Sequence, residues 1–157
     1  MTLFFYAPDL PVESVDVRSN IFFANDTDRK DILNTYSFSD GTVSYSHAVA
    51  PLIEQNVFVQ HHAREDRHAG VIHVEYSAVP VIRTNWIVGN LASGDRRPIY
   101  VSREAEPLIE LNLVVGNGTT HGSGRAVRIN NGGRAGILNN VLAHASSGEA
   151  IRCRSLG

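Results

Sequence analysis

One short line of sequence recurs five times along this chain. The stretches VDVRSNIFFAN, PLIEQNVFVQH, PVIRTNWIVGN, PLIELNLVVGN and RAGILNNVLAH each carry an Asn at the same point: Asn20, Asn56, Asn85, Asn112 and Asn140. Successive members stand 36, 29, 27 and 28 positions apart. A unit this short cannot bury its own apolar face, so units of this period stack on one another and share a continuous core.

Each unit reads as three short strands. In the third, Val81–Arg83 alternates apolar and polar, Asn85 turns the chain, and Trp86–Val88 is a second strand. A loop is expected over Gly89–Arg97, then a third strand over Ile99–Ser102. Third strands recur as GTVSYS, GVIHVE, RPIYVS, RAVRIN and EAIRCR, aligned on Val43, Ile72, Ile99, Val127 and Ile151. Two positions on stand Tyr45, Val74, Val101, Ile129 and Cys153. Side chains alternate faces along a strand, so both columns are expected to point inward, with Cys153 a small core residue. Only Asp28–Asn34 and Ser102–Leu108 could hold a helical turn. The long first interval implies an insertion in the loop around Asp26–Thr35.

The Asn column has a physical reason. Asn tolerates left-handed backbone, and its amide can bond the same amide one coil away, at about 4.8 Å. A second column, Asn25, His61, Asn90, Asn117 and Ala145, is ragged and reads as a loop edge. Pro51, Pro80 and Pro107 each lie five residues before a ladder Asn, at a strand start, where a missing N–H costs little.

Apolar–x–x–Asn–x–apolar followed by Gly–apolar–x–apolar resembles the right-handed parallel β-helix of the pectin-lyase-like superfamily, from about Val15 to the C-terminus. The expected fold is all-β: a right-handed parallel β-helix solenoid of about five coils, three short strands per coil, with an Asn ladder. Residues 1–157 form one domain, and residues 1–14 a partial N-terminal coil or cap. Neither end shows a clear cap, which fits a fragment of a longer solenoid or an oligomer formed through the uncapped ends. A leucine-rich solenoid fits less well, because its Leu-rich, helix-bearing unit is absent. Ice binding would need Thr columns in register, and none exists.

Composition narrows the partners. The net charge is −2, which offers no basic footprint for nucleic acid. No run of about 18 apolar residues predicts a membrane span. A single cysteine excludes an intrachain disulfide. The opening MTLFFYAPDLP lacks a basic leader and a small-residue cleavage site, so it does not read as a signal peptide. Either the protein is intracellular or a signal lies outside this sequence, and a secreted or cell-surface location is the expectation.

The resemblance also implies a substrate groove along the outside of the third-strand sheet. The outward columns there are Ser44, His73, Tyr100, Arg128 and Arg152, then Ser46, Glu75, Ser102, Asn130 and Arg154. His73, Glu75, Tyr100 and Arg128 share one patch. Arg pairs bidentately with uronate carboxylates and Tyr stacks on sugar rings, so a polysaccharide is the expected partner. Candidate catalytic residues are Glu75, His73 and Arg128, and candidate substrate-binding residues are Tyr100, Arg152, Asn130, Asp66 and Asp95. Asp66–Arg67 and Asp95–Arg96 stand 10 and 11 residues after their ladder Asn and should stack. They read either as a carboxylate pair, as glycoside hydrolysis requires, or as an Asp/Arg salt-bridge ladder. Arg beside each keeps both ionised, which disfavours a general acid.

Lyases of this superfamily use an Arg or Lys base with calcium held by several acidic residues. Glu75 is the only carboxylate expected on the sheet face, so neither calcium nor another cofactor is expected. His61, His62 and His68 crowd a loop with Arg64 and Arg67, a setting hostile to zinc. Gly122–Ser123–Gly124 lacks the context of a nucleophile elbow. Two functions follow. One is a carbohydrate-active β-helix, binding or cleaving polysaccharide as a lyase or glycoside hydrolase. The other is a non-catalytic structural solenoid segment of an adhesin, surface protein or phage tail spike.

Overall fold

A computed structural model of the chain describes residues 3–7, 16–23, 26–27, 33–37, 50–63, 71–92, 98–119, 126–144 and 149–154. These residues hold strands and turns only, and every strand pairing among them is parallel. The molecule is a parallel β-helix of about five coils. Its first face stacks Asp16–Arg18, Leu52–Glu54, Val81–Arg83, Leu108–Glu110 and Gly136–Leu138. Its second stacks Ile21–Phe23, Val57–Val59, Trp86–Val88, Leu113–Thr119 and Val141–His144. Its third stacks Leu3–Ala7, Leu33–Ser37, Ile72–Glu75, Ile99–Val101, Val127–Asn130 and Ile151–Arg154. The expected Gly89–Arg97 loop also holds a short strand, Leu91–Ala92, which pairs with His62–Ala63 and with the end of Leu113–Thr119.

Single left-handed residues make the first two corners. At the first corner they are Ser19, Gln55, Thr84, Leu111 and Asn139, with φ between 51° and 57°. Each precedes a ladder Asn, so the left-handed residue is not the Asn itself, contrary to the sequence reading. The Asn stays because its amide cross-braces coils. Asn85 Nδ2 donates to Ile53 O at 2.8 Å and to Asn112 Oδ1 at 3.0 Å. Its Oδ1 accepts from the Asn56 backbone N–H and Nδ2, at 3.0 and 3.1 Å. The same arrangement runs from Asn20 to Asn140. At the second corner Gln60, Gly89 and Gly116 are left-handed. The third corner uses two in succession: Tyr76–Ser77, Arg103–Glu104 and Asn131–Gly132.

The core is the set of inward columns. Ile53, Ile82 and Ile109 on the first face, Phe58, Ile87 and Val114 on the second, and Ile72, Val74, Ile99, Val101 and Val127 on the third are fully buried. Each such side chain contributes about 1.5–3 kcal/mol relative to exposure. Phe22 and Phe58 stack with centroids 4.8 Å apart and planes within 2°, the spacing of paired strands. Pro51, Pro80 and Pro107 are buried at the strand starts, and each carbonyl accepts from the coil that follows.

Three expectations need correction. The first-coil member of the third face is Leu33–Ser37, with Leu33 opposite Ile72. Val43, Ser44 and Ser46 lie outside the described residues, and the register positions assigned to those serines belong to Asn34 and Tyr36. Arc length is the reason. Ten residues separate His62 from Ile72, eight separate Leu91 from Ile99, and seven separate Asp26 from Leu33; Val43 would need 17. The extra length therefore lies between Leu33 and Leu52, where 19 residues replace the nine from Ile72 to Val81. Cys153 does fall in register with Ile129, yet it is exposed, because no described strand pairs beyond it.

Candidate functional site

The third face brings the sequence-derived constellation together. In-register pairing lines up His73, Tyr100, Arg128 and Arg152 in one outward column. Glu75, Ser102 and Asn130 lie beside it. The His73 and Tyr100 rings meet edge to face at 5.1 Å, and the Arg128 guanidinium lies 5.9 Å from the Tyr100 ring centre. Asn130 Nδ2 donates to Tyr100 Oη at 3.3 Å.

This surface is not the solvated groove floor that alternation predicts. His73 is 2 % exposed, Tyr100 8 % and Arg128 7 %. Members of the column cover one another in part, so the Tyr100 ring offers no open platform for a sugar. Arg152 is half-buried on the last strand. Asp66 and Asp95, with Arg67 and Arg96, lie outside the described residues.

Glu75 is the chemical centre of the patch. Its Oε2 lies 3.4 Å from His73 Nε2 and 3.6 Å from Arg103 Nε, and accepts from Ser102 Oγ at 3.4 Å. A guanidinium, an imidazole and a hydroxyl thus converge on one carboxylate oxygen. Oε2 is therefore tied to protein groups and is not presented alone to a substrate.

Arg103 was missed in the sequence, where Ser102–Leu108 reads as a helical turn. The left-handed pair Arg103–Glu104 instead turns the Arg103 side chain back to Glu75 and over the Tyr76 ring, 4.4 Å from its centre. A signal existed: Tyr76, Arg103 and Asn131 directly follow Glu75, Ser102 and Asn130 at the repeat spacing.

The rim of this corner carries two shallow cavities. One, of about 600 Å³, is lined by Ser77, Val79, Glu104, Glu106, Gly132 and Arg134. The other, of about 330 Å³, is lined by Tyr76, Ser77, Arg103, Glu104 and Asn131. Arg134 Nη1 pairs with Glu106 at 3.2 Å. Among the described residues no group of three or more His, Cys, Asp or Glu could hold a metal ion. Comparison of the chain with protein-family models, with curated proteins and with solved structures returns no match in any of the three.

Proposed function

We propose that this chain is a non-catalytic structural β-helix, a rigid shaft or spacer of the adhesin, surface-protein or tail-spike type. The observation that carries this reading is Glu75. It is the one candidate catalytic carboxylate on the described third face, and its Oε2 is engaged by His73, Ser102 and Arg103. The burial of His73, Tyr100 and Arg128 supports the same reading, since a polymer cannot reach them without displacing what covers them. The kinship to pectin-lyase-like proteins is then one of architecture, and fold alone does not carry an activity across.

A second reading keeps polysaccharide as the ligand and moves it to the rim. The Tyr76–Arg103–Asn131 cavity offers an aromatic ring, a guanidinium and an amide in one groove, a set suited to acidic sugars.

Incubation with acidic and neutral polysaccharides, with and without calcium, separates these readings. The expected result is no unsaturated-uronate absorbance and no new reducing ends, with Glu75→Gln lowering stability by about 1 kcal/mol or less. Product formation that Glu75→Gln abolishes overturns the structural reading. Retardation in affinity gels that Tyr76→Ala and Arg103→Ala abolish, without product, establishes the second.

A further inference from the structure

The outer side of the second face is apolar from end to end. The middle residues Phe22, Phe58, Ile87 and Val114 are buried, so the flanking positions of each strand point outward. The first positions are Ile21, Val57, Trp86, Leu113 and Val141, in register. The third positions are Phe23, Val59, Val88, Val115 and Ala143. None is charged, and only the Trp86 indole bears a hydrogen-bonding group. A chain that is 43 % hydrophobic does not fill ten outward positions with apolar residues by composition alone. The other two faces carry charge: Arg18, Glu54 and Arg83 form an ion-paired row on the first, and His73, Glu75 and Arg128 stand on the third.

We infer that this face is an interface between copies of this chain. Ile21 is 75 % exposed, Phe23 62 %, Trp86 59 % and Val141 58 %. At roughly 200 Å² per large side chain, these four leave on the order of 500 Å² of apolar surface in water, near the top of the ~300–600 Å² that the largest patch of a monomer reaches. The six other outward residues bring the face toward the ~800 Å² that each partner gives to a standard interface.

Period selects the occupant. Side-chain rows along this face repeat at the strand spacing, and a second copy presents rows of the same period, so the two sets interdigitate along their whole height. A partner without stacked strands lacks that period. The Arg18–Glu54–Arg83 row along the adjoining face supplies the polar rim that surrounds an apolar interface centre. This interface does not depend on the absence of catalysis, so either idea can fail without the other.

Sedimentation velocity over a concentration series, with fluorescence of Trp86, the only tryptophan, tests the inference. Wild-type protein is expected to associate reversibly, with a blue shift of emission as concentration rises. Phe23→Glu keeps the fluorophore, and it and Trp86→Glu should each raise the dissociation constant at least tenfold while far-UV circular dichroism stays unchanged. Val79→Glu, exposed on another part of the surface, should leave association intact. A monomer at every soluble concentration overturns the inference, with or without a blue shift on phosphatidylcholine vesicles. So does association that ignores both face variants.

Discussion

Asn85 shows how one buried amide can hold three coils together. Its two N–H groups and its carbonyl oxygen make four hydrogen bonds, reaching Ile53 and Asn56 on one side and Asn112 on the other. Asn85→Ala strips partners from the Ile53 carbonyl and the Asn56 N–H, both in the interior, at ~1–3 kcal/mol per orphaned group. Chemical denaturation should show a loss of about 3–5 kcal/mol on that basis. Asn140 makes equivalent bonds on the last coil but is half-buried, so water can replace what alanine removes. Asn140→Ala should cost only about 1 kcal/mol. Equal losses at the two sites would mean that burial does not set the strength of the ladder. The Asn column was legible because a polar residue recurs inside apolar runs. The left-handed residue before it was not, since Ser19, Gln55, Thr84, Leu111 and Asn139 share a conformation and no chemistry. Thr84 and Leu111 are unexpected there, because stacking fixes the backbone more strongly than their own preference opposes it.

At the scale of the element, the second corner is a second ladder. Asn90 Nδ2 donates to Phe58 O and to Asn117 Oδ1, and Asn117 Nδ2 donates to Ile87 O. His61 takes the Asn position in the preceding coil. Its backbone N–H donates to Asn90 Oδ1 at 3.0 Å, and its Nε2 meets Phe22 O at 3.1 Å. A carbonyl can only accept, so Nε2 carries the proton. His61→Asn should therefore be tolerated within about 1 kcal/mol, whereas His61→Phe strands the Phe22 carbonyl and should cost about 1–3 kcal/mol. Thermal melts of the two variants decide it: equal destabilisation would show that packing, not the ladder bond, matters at this position. The sequence read this column as a ragged loop edge because His replaces Asn in its second member. It misplaced the first third-face strand for a related reason. GTVSYS alternates apolar and polar and LNTYS does not, since Thr35 stands opposite Val74, so only the distance from the preceding corner selects LNTYS. Alternation also named His73, Glu75, Tyr100 and Arg128 as one patch. It could not foresee the burial of His73, Tyr100 and Arg128, because alternation gives the direction of a side chain and not what lies over it.

The whole molecule is a one-dimensional stack, and its stability follows from which coils have neighbours on both sides. Ile82, Ile87 and Ile99 sit between two coils and are fully buried. In the last coil Ile137 and Leu142 are only partly covered, Ile151 is 37 % exposed and Cys153 is exposed. The apolar contribution per coil therefore falls toward this end, while the backbone entropy of ordering a coil stays about the same. Opening from this end costs only the last coil-to-coil contact, whereas opening at the centre breaks two. Hydrogen exchange should show amides of Val81–Arg83 and Trp86–Val88 as the slowest, with a gradient down to Gly136–Leu138 and Ile151–Arg154. Cys153, in the same end coil, should react with a thiol reagent in native buffer at a rate close to that of the unfolded chain. Uniform protection together with a slow thiol would mean that the stack opens all at once. Self-association through the second face would act on the side of the stack and not on its end. It would add a lateral neighbour to every coil, raising protection of Ile21–Phe23 through Val141–His144 with concentration. Cys153 would stay as reactive as before, because a lateral contact on the second face does not cover the third-face strand Ile151–Arg154.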